Sequence, residues 1–281
     1  MREISVDQVA EAVKRLCIES NVKMPAELSY AVAQALEREE SPAGRKILKQ
    51  ILENHRIAAE EAIPACQDTG ITLVFLEIGQ DVHLIGGDLY DAVNRGVRAG
   101  YIEGYLRKSV VKDPLFQREN SGDNTPAMTY VEIVPGNSIR ITVVPKGAGA
   151  ENASALRMLP PHAGLEGVKR FVVETVEAAG PDACPPYVVG VGIGGTFDRA
   201  PLLAKKALVR PLGTRHGDPR YAVLEQELLE EINQLGIGPQ GLGGRVTAFA
   251  VHVETAPCHI ASLPVAVNLG CHVNRAARVT L

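Results

Sequence analysis

The hydrophobic period of this chain changes abruptly at residues 63–71, and that change limits the folds open to it. Up to residue 62, apolar residues recur at helical spacing. Ser5-Val6-Asp7-Gln8 reads as a capping box, followed by an apolar stripe of Val6, Val9, Ala10, Val13, Leu16 and Cys17. A second helix carries Leu28, Val32, Ala35 and Leu36. Ser41-Pro42 pairs an N-cap with an N1 proline and opens a third helix, through Ile47, Leu48, Ile51 and Leu52, toward Ala62. Pro64 stops the pattern, and residues 71–78 form an apolar run of strand type. Between them lies Ile63-Pro64-Ala65-Cys66-Gln67-Asp68-Thr69-Gly70, which sets a thiol, an amide, a carboxylate and a hydroxyl at the mouth of a strand. A connection this polar carries either chemistry or a turn.

Beyond it, helical and strand patterns alternate. Asp88 caps a helix expected to end near Arg107-Lys108, where two cations suit the helix dipole. The loop 119–126 is polar, either plain surface or a cover over a site. Residues 130–134 and 139–144 alternate around Pro135-Gly136-Asn137-Ser138 and read as a β-hairpin. Lys146-Gly147-Ala148-Gly149-Ala150-Glu151-Asn152-Ala153-Ser154 is a glycine-rich polar loop. A helix from about Gly164 to Ala179 stops at Gly180 and leads to a strand over 187–193. Gly194-Gly195-Thr196 follows, with Thr196 placed to cap a helix through Leu202, Leu203 and Leu208. Asp218-Pro219 opens the last helix, closed by Gly236, and strands follow at 246–254 and 265–269. These patterns predict an α/β fold: mixed sheets with surrounding helices and a helical N-terminal segment. The expected organisation is one domain over 1–281, with 1–62 helical and 63–281 as the α/β core.

Composition excludes several classes. The net charge is -4, with no basic tract or aromatic-basic interleaving, so no nucleic acid is expected. No apolar run approaches the roughly 18 residues of a spanning helix, so no membrane is expected either. The N-terminus lacks the apolar core of a signal peptide. Together with an odd count of 5 cysteines, that points to a reducing cytoplasm.

Three of those cysteines share a setting. Cys66, Cys184 and Cys271 each stand in a turn beside an apolar strand, whereas Cys17 belongs to a helix stripe. No close Cys-x-x-Cys pair marks structural zinc. Isolated thiolates from three loops fit an iron–sulfur cluster with one iron free of protein ligands; they also fit three unrelated buried thiols. The glycine runs at 147–149 and 192–195 sit where nucleotide-binding turns occur. Both lack the Walker and GxGxxG spacings.

Taken together, Ala65-Cys66-Gln67-Asp68-Thr69-Gly70, Gly122-Asp123-Asn124-Thr125-Pro126, Lys146-Gly147-Ala148-Gly149, the run from Pro185 to Asp198, Gly241-Leu242-Gly243-Gly244, and His259-Ile260-Ala261-Ser262-Leu263-Pro264 through Cys271 span nearly the whole chain. In this order they resemble the α subunit of two-subunit class I fumarate hydratases and the related L-tartrate dehydratases. The resemblance implies a [4Fe-4S] cluster held by Cys66, Cys184 and Cys271, with Cys258 a bystander. It implies that Gln67 and Arg107 bind a dicarboxylate substrate and that Asp68 and His259 take part in proton transfer, with His272 a weaker neighbour of the site. For Asp68 the residues alone also allow a simple turn cap. The resemblance further implies a separate β subunit completing the site, in an αβ or (αβ)2 assembly. The leading expected reaction is fumarate to (S)-malate. The alternatives are L-tartrate to oxaloacetate and a non-catalytic cluster- or metal-binding module.

Overall fold

The computed structural model describes residues 2–281. In chain order the elements are β1 (Arg2–Ser5), α1 (Val6–Val22), α2 (Ala26–Arg38), α3 (Pro42–Glu61), β2 (Ile71–Gly79), β3 (Val82–Ile85), α4 (Leu89–Glu103), β4 (Met128–Val134), β5 (Ile139–Lys146), α5 (Ala148–Asn152), β6 (Ala155–Leu159), α6 (Gly164–Ala179), β7 (Tyr187–Gly194), α7 (Arg199–Ala207), α8 (Pro219–Gln234), β8 (Ala248–Ala256), β9 (Leu263–Gly270) and β10 (Ala277–Thr280). This is the expected combination of mixed sheets, surrounding helices and a helical N-terminal segment. The chain divides into two compact units. The first comprises Met1–Pro25, His55–Ala148 and Arg275–Leu281, and the second Ala26–Asn54 and Gly149–Asn274.

In the first unit a four-stranded sheet runs β10-β5-β2-β4. β2 lies antiparallel to β5 and parallel to β4, and β10 lies antiparallel to β5. β1 and β3 pair in a small parallel sheet. The Ser5 capping box forms as expected, and Asp88 accepts from the Asp91 amide at 2.8 Å. The stripe Val9, Val13, Leu16 and Cys17 packs into a core with Val74, Leu76, Val93, Val97, Ile141 and Val143. Each such aliphatic side chain contributes about 1.5–3 kcal/mol on burial.

Two sequence expectations fail in this unit. β4 and β5 do not form a hairpin, because β2 runs between them. β2 is buried along nearly its whole length, and such a strand gains most with a neighbour on each edge. The 134–138 turn accordingly spans its end, with the Gly79 amide donating to Ser138 O (2.8 Å) and the Gln80 amide to Val134 O (2.8 Å). Second, α4 ends at Glu103 and is capped by Gly104, so Arg107 and Lys108 lie beyond the helix and are not its dipole partners.

The second unit repeats that strand logic. Its sheet runs β6-β9-β7-β8, with β7 parallel to β8 and antiparallel to β9. Along β7, Val189, Val191 and Ile193 join a core with residues of α6 and α8, including Phe171, Val172, Val176, Leu228 and Ile232. The alternate residues Gly190 and Gly192 face α7. A Cβ there would stand 2.2 Å from Ala204 O and 2.0 Å from Ala200 O, so glycine is what lets α7 lie on the sheet. Thr196 does not cap α7. Its hydroxyl donates to Asp198 Oδ1 at 2.6 Å, and the helix has no side-chain cap. The caps at Ser41 (accepting from Gly44 N, 3.2 Å) and Asp218 (accepting from Arg220 N, 2.9 Å) form as expected.

Candidate functional site

In each unit the cysteine-bearing loops emerge at one end of the sheet. β2 begins opposite the end of β5, with Ile71 facing Lys146. β7 likewise begins opposite the end of β9, with Val188 facing Gly270. Cys66 lies just ahead of β2, Cys184 just ahead of β7, and Cys271 just after β9.

The Cys66–Gly70 loop is held from several directions within the first unit. Asp68 spends both carboxylate oxygens on backbone amides: Oδ1 accepts from Gly70 N at 2.9 Å and Oδ2 from Ala148 N at 2.8 Å. Its own amide donates to Cys66 Sγ at 3.4 Å. Gly70 has φ +75°, and a Cβ there would meet Lys146 N at 2.6 Å, so this turn requires glycine. The Tyr101 hydroxyl donates to Thr69 O (2.6 Å), Asn124 Nδ2 to Gly70 O (3.2 Å), and Arg275 Nη2 to Asp68 O (2.8 Å). Thr69 Oγ1 donates to the backbone oxygen of Arg107 at 2.8 Å, which ties Arg107 to the same loop with its side chain exposed. Gln67 is exposed and Asp68 half-buried. The structure thus brings Cys66, Gln67, Asp68 and Arg107 together.

The polar stretch 119–126 is a fixed support and not a free surface loop. Asn124 is fully buried with φ +63° and accepts from Ser109 N at 2.7 Å. Beside it, partial burial works against ionisation of Asp123. Hydrogen bonds from Arg98 and Thr125 outweigh it and hold the carboxyl down at about 2.

In the second unit Cys184 and Cys271 share one end of the sheet. The His272 amide donates to Cys184 O at 3.1 Å, and Gln240 Nε2 reaches Pro185 O at 3.0 Å. His272 Nδ1 lies 3.1 Å from Gln240 Nε2. Cys184 has φ +55°, a left-handed conformation that costs a non-glycine residue of order 1–3 kcal/mol and concentrates at functional sites. His259 is elsewhere. It sits in the exposed loop between β8 and β9, at the end where β7 finishes, and Gly195 N donates to Pro257 O there. At roughly 3.3 Å per residue the length of β7 separates this loop from Cys184 and Cys271 by about 20 Å. Cys258 is in the same loop and its thiol donates to Ser262 O at 3.3 Å.

Both glycine runs have other occupations. The Ala148 amide, which a phosphate would need, is taken by Asp68, and Gly192 serves helix packing. Residues 148–152 form the short helix α5 instead of an open loop. Glu151 on it receives Lys205 Nζ and Asn268 Nδ2, the latter at 2.9 Å.

The thiols separate by environment. Cys17 is fully buried, and burial pushes its thiol up to about 12, which makes it an inert core residue. Cys66 and Cys271 are half-buried and Cys184 is exposed, so all are accessible. The amide donated to Cys66 Sγ suits a thiolate. The donor chemistry therefore fits iron–sulfur ligation. Among the described residues no group of three or more His, Cys, Asp or Glu side chains is arranged to hold a metal ion.

The sequence pattern described as fumarate hydratase (Fumerase) matches residues 10–280. The chain belongs to this family, and it is a hydro-lyase. It is 44% identical over 278 residues to the putative L(+)-tartrate dehydratase subunit alpha of Methanocaldococcus jannaschii, covering 96% of each chain. It is 34% identical over 278 residues to the L(+)-tartrate dehydratase subunit alpha of Escherichia coli O157:H7, covering 98% of this chain and 91% of that one. The protein of that name from Escherichia coli K12 is likewise 34% identical, over 279 residues.

Proposed function

We propose that this chain is the α subunit of an iron–sulfur hydro-lyase that adds water to, or removes it from, a four-carbon dicarboxylate. The full-length family match carries this reading. Relatives named as subunits alpha support a β partner that completes the site, in an αβ or (αβ)2 assembly. Two substrate pairs fit. The family description supports fumarate and (S)-malate, and the relatives' name, L(+)-tartrate dehydratase, supports the dehydration of L-tartrate to oxaloacetate at least as well.

Cys66, Cys184 and Cys271 are the proposed ligands of a [4Fe-4S] cluster. When bound, the cluster supplies a Lewis-acidic iron open to substrate oxygen. The exposed Gln67 amide hydrogen-bonds the substrate, and the Arg107 guanidinium pairs with a substrate carboxylate. Asp68 holds or releases a proton at the carboxylate that its two amide donors fix in place. His259 orients or protonates a substrate oxygen. Its position at the other end of the second unit's sheet means that the assembly, not that sheet, has to deliver it. The odd count of 5 cysteines agrees with a cytoplasmic setting. Among the described residues no helix is long and apolar enough to cross a membrane.

The test is anaerobic co-purification with the β chain, followed by assays on fumarate and L-tartrate. Turnover of one of them by the pair, with little by the α chain alone, supports the reading. Full activity of the isolated α chain contradicts the split site.

A further inference from the structure

Three consecutive backbone oxygens, those of Asp68, Thr69 and Gly70, each accept a hydrogen bond from a buried side chain. The donors are Arg275, Tyr101 and Asn124, which reside on the C-terminal segment, on α4 and in the 119–126 loop. Their exposures are 4%, 0% and 0%, so water cannot substitute for them. Arg275 is itself fixed by Asn21 Oδ1 at 3.1 Å, and Asn124 also reaches Thr72 Oγ1 at 3.4 Å.

A peptide whose oxygen is drawn inward turns its N–H the opposite way. In the Thr69–Gly70 peptide, whose oxygen Tyr101 holds, the Gly70 amide indeed meets Asp68 Oδ1, and the Asp68 amide, on the residue whose carbonyl Arg275 holds, meets Cys66 Sγ. Arg275 holds the carbonyl of the residue whose amide serves the sulfur. Tyr101 and Asn124 hold those on either side of the amide that serves the carboxylate.

We infer that Tyr101, Asn124 and Arg275 are positioning residues that fix the three consecutive peptide planes from Asp68 to Ile71, so that the Gly70 amide faces the Asp68 carboxylate and Asp68 is anchored where its own amide faces the Cys66 sulfur. Hydrogen bonds to a cluster's thiolates are one of the means by which a protein sets its properties. The trio therefore acts on cofactor retention through Cys66 and on proton transfer through Asp68, without touching either reacting group. This deepens the function proposed above and rests on it for the cofactor and the chemistry. The loop geometry itself does not depend on it.

Hydrogen exchange on the α–β complex tests the geometry, with Tyr101→Phe, which deletes only a hydroxyl, and Arg275→Met beside Arg275→Lys. Losing one buried hydrogen bond is expected to speed exchange in the peptide covering 66–72 by about tenfold, with β7 unchanged. Arg275→Lys, which keeps a donor, is expected to restore much of the protection lost in Arg275→Met. In the same variants, iron release to a chelator is expected to quicken and kcat to fall with KM little changed. Unchanged exchange at 66–72 in the folded variants overturns the inference. So does a rise spread evenly over the chain, which marks a merely structural role. If Tyr101→Phe does not fold, the Arg275 pair decides alone. If the unsubstituted complex holds no iron, the cofactor reading fails, while the exchange comparison still decides whether the trio fixes the loop.

Discussion

Asp68 has an observed role as a turn cap and a proposed one in proton transfer, and Asp68→Asn separates the two by their different energetic signatures. In the structure each carboxylate oxygen accepts one backbone amide, Gly70 N at 2.9 Å and Ala148 N at 2.8 Å. An asparagine keeps its oxygen toward Gly70 but turns an NH2 toward the Ala148 amide, where two donors cannot bond. A lost charge-assisted bond costs about 1.5–3 kcal/mol when buried. Ala148 is exposed, however, so water takes over that amide and the cost falls to about 1 kcal/mol. For a chain of this size that lowers Tm by about 2–4 °C. A carboxylate that also moves a proton during turnover contributes about 10²–10⁴-fold in rate. The expected variant is therefore folded and only slightly less stable, with kcat reduced by at least a hundredfold when assayed with the β chain well below Tm. Scanning calorimetry and steady-state kinetics on one preparation give both numbers. A kcat within tenfold of the unsubstituted protein refutes the catalytic role and leaves Asp68 as a turn cap. A fall of more than about 10 °C refutes the solvation argument instead.

Glu39 is almost fully buried, and its carboxylate accepts from the amides of Ser41, Arg245 and Val246, each at 2.9 Å. Glu39→Gln removes at least one charge-assisted bond and strands an amide, so urea unfolding is expected to show a loss of about 3 kcal/mol. Burial raises the Glu39 pKa, but those amide donors prevail and hold it below its ordinary value. Asp123 is depressed to about 2. Depressed carboxylates stabilise the fold fully above their unfolded pKa values, near pH 4, and less as pH falls through the folded values. Stability is thus expected to decline below about pH 4, and Arg98→Gln is expected to narrow the Asp123 part of that window, as followed by circular dichroism against pH. Gly192→Ala would put a methyl 2.0 Å from Ala200 O. Overpacking of about 1–3 kcal/mol or more is expected from thermal unfolding, and an unchanged Tm would contradict the packing role assigned to the glycine run.

Much of the molecule was legible because local signals sufficed. The Ser5 box, the Ser41-Pro42 and Asp218-Pro219 helix starts and the Cys17 stripe are satisfied within a few residues of chain, so tertiary context had little to override. The supposed hairpin failed for the opposite reason. Alternation and a good turn at 135–138 say nothing about a third strand, and β2, entering from far upstream in the chain, decided the pairing. At the site, the thiols and Asp68 announced themselves by chemistry. Tyr101 did not, since it lies on the apolar stripe of α4 and only its hydroxyl matters. Arg275 stands more than two hundred residues from its acceptor, at |i−j| = 207. The one usable signal was Asn124, a polar residue between Asp123 and Thr125-Pro126 in a loop whose burial no local pattern reveals. The placement of His259 was hidden for the same reason: twelve residues from Cys271 in sequence, it is separated from it by the full length of β9.

The proposed ligand set is tested most directly by measuring which thiols hold iron. Iron and acid-labile sulfide are to be measured on the anaerobically purified α chain and on Cys66→Ser, Cys184→Ser, Cys271→Ser and Cys258→Ser. The expected result is about four irons per unsubstituted chain, with loss of iron and of the visible absorption in the first three variants and retention in Cys258→Ser. Full iron in any of the first three, or its loss in Cys258→Ser alone, contradicts the ligand set.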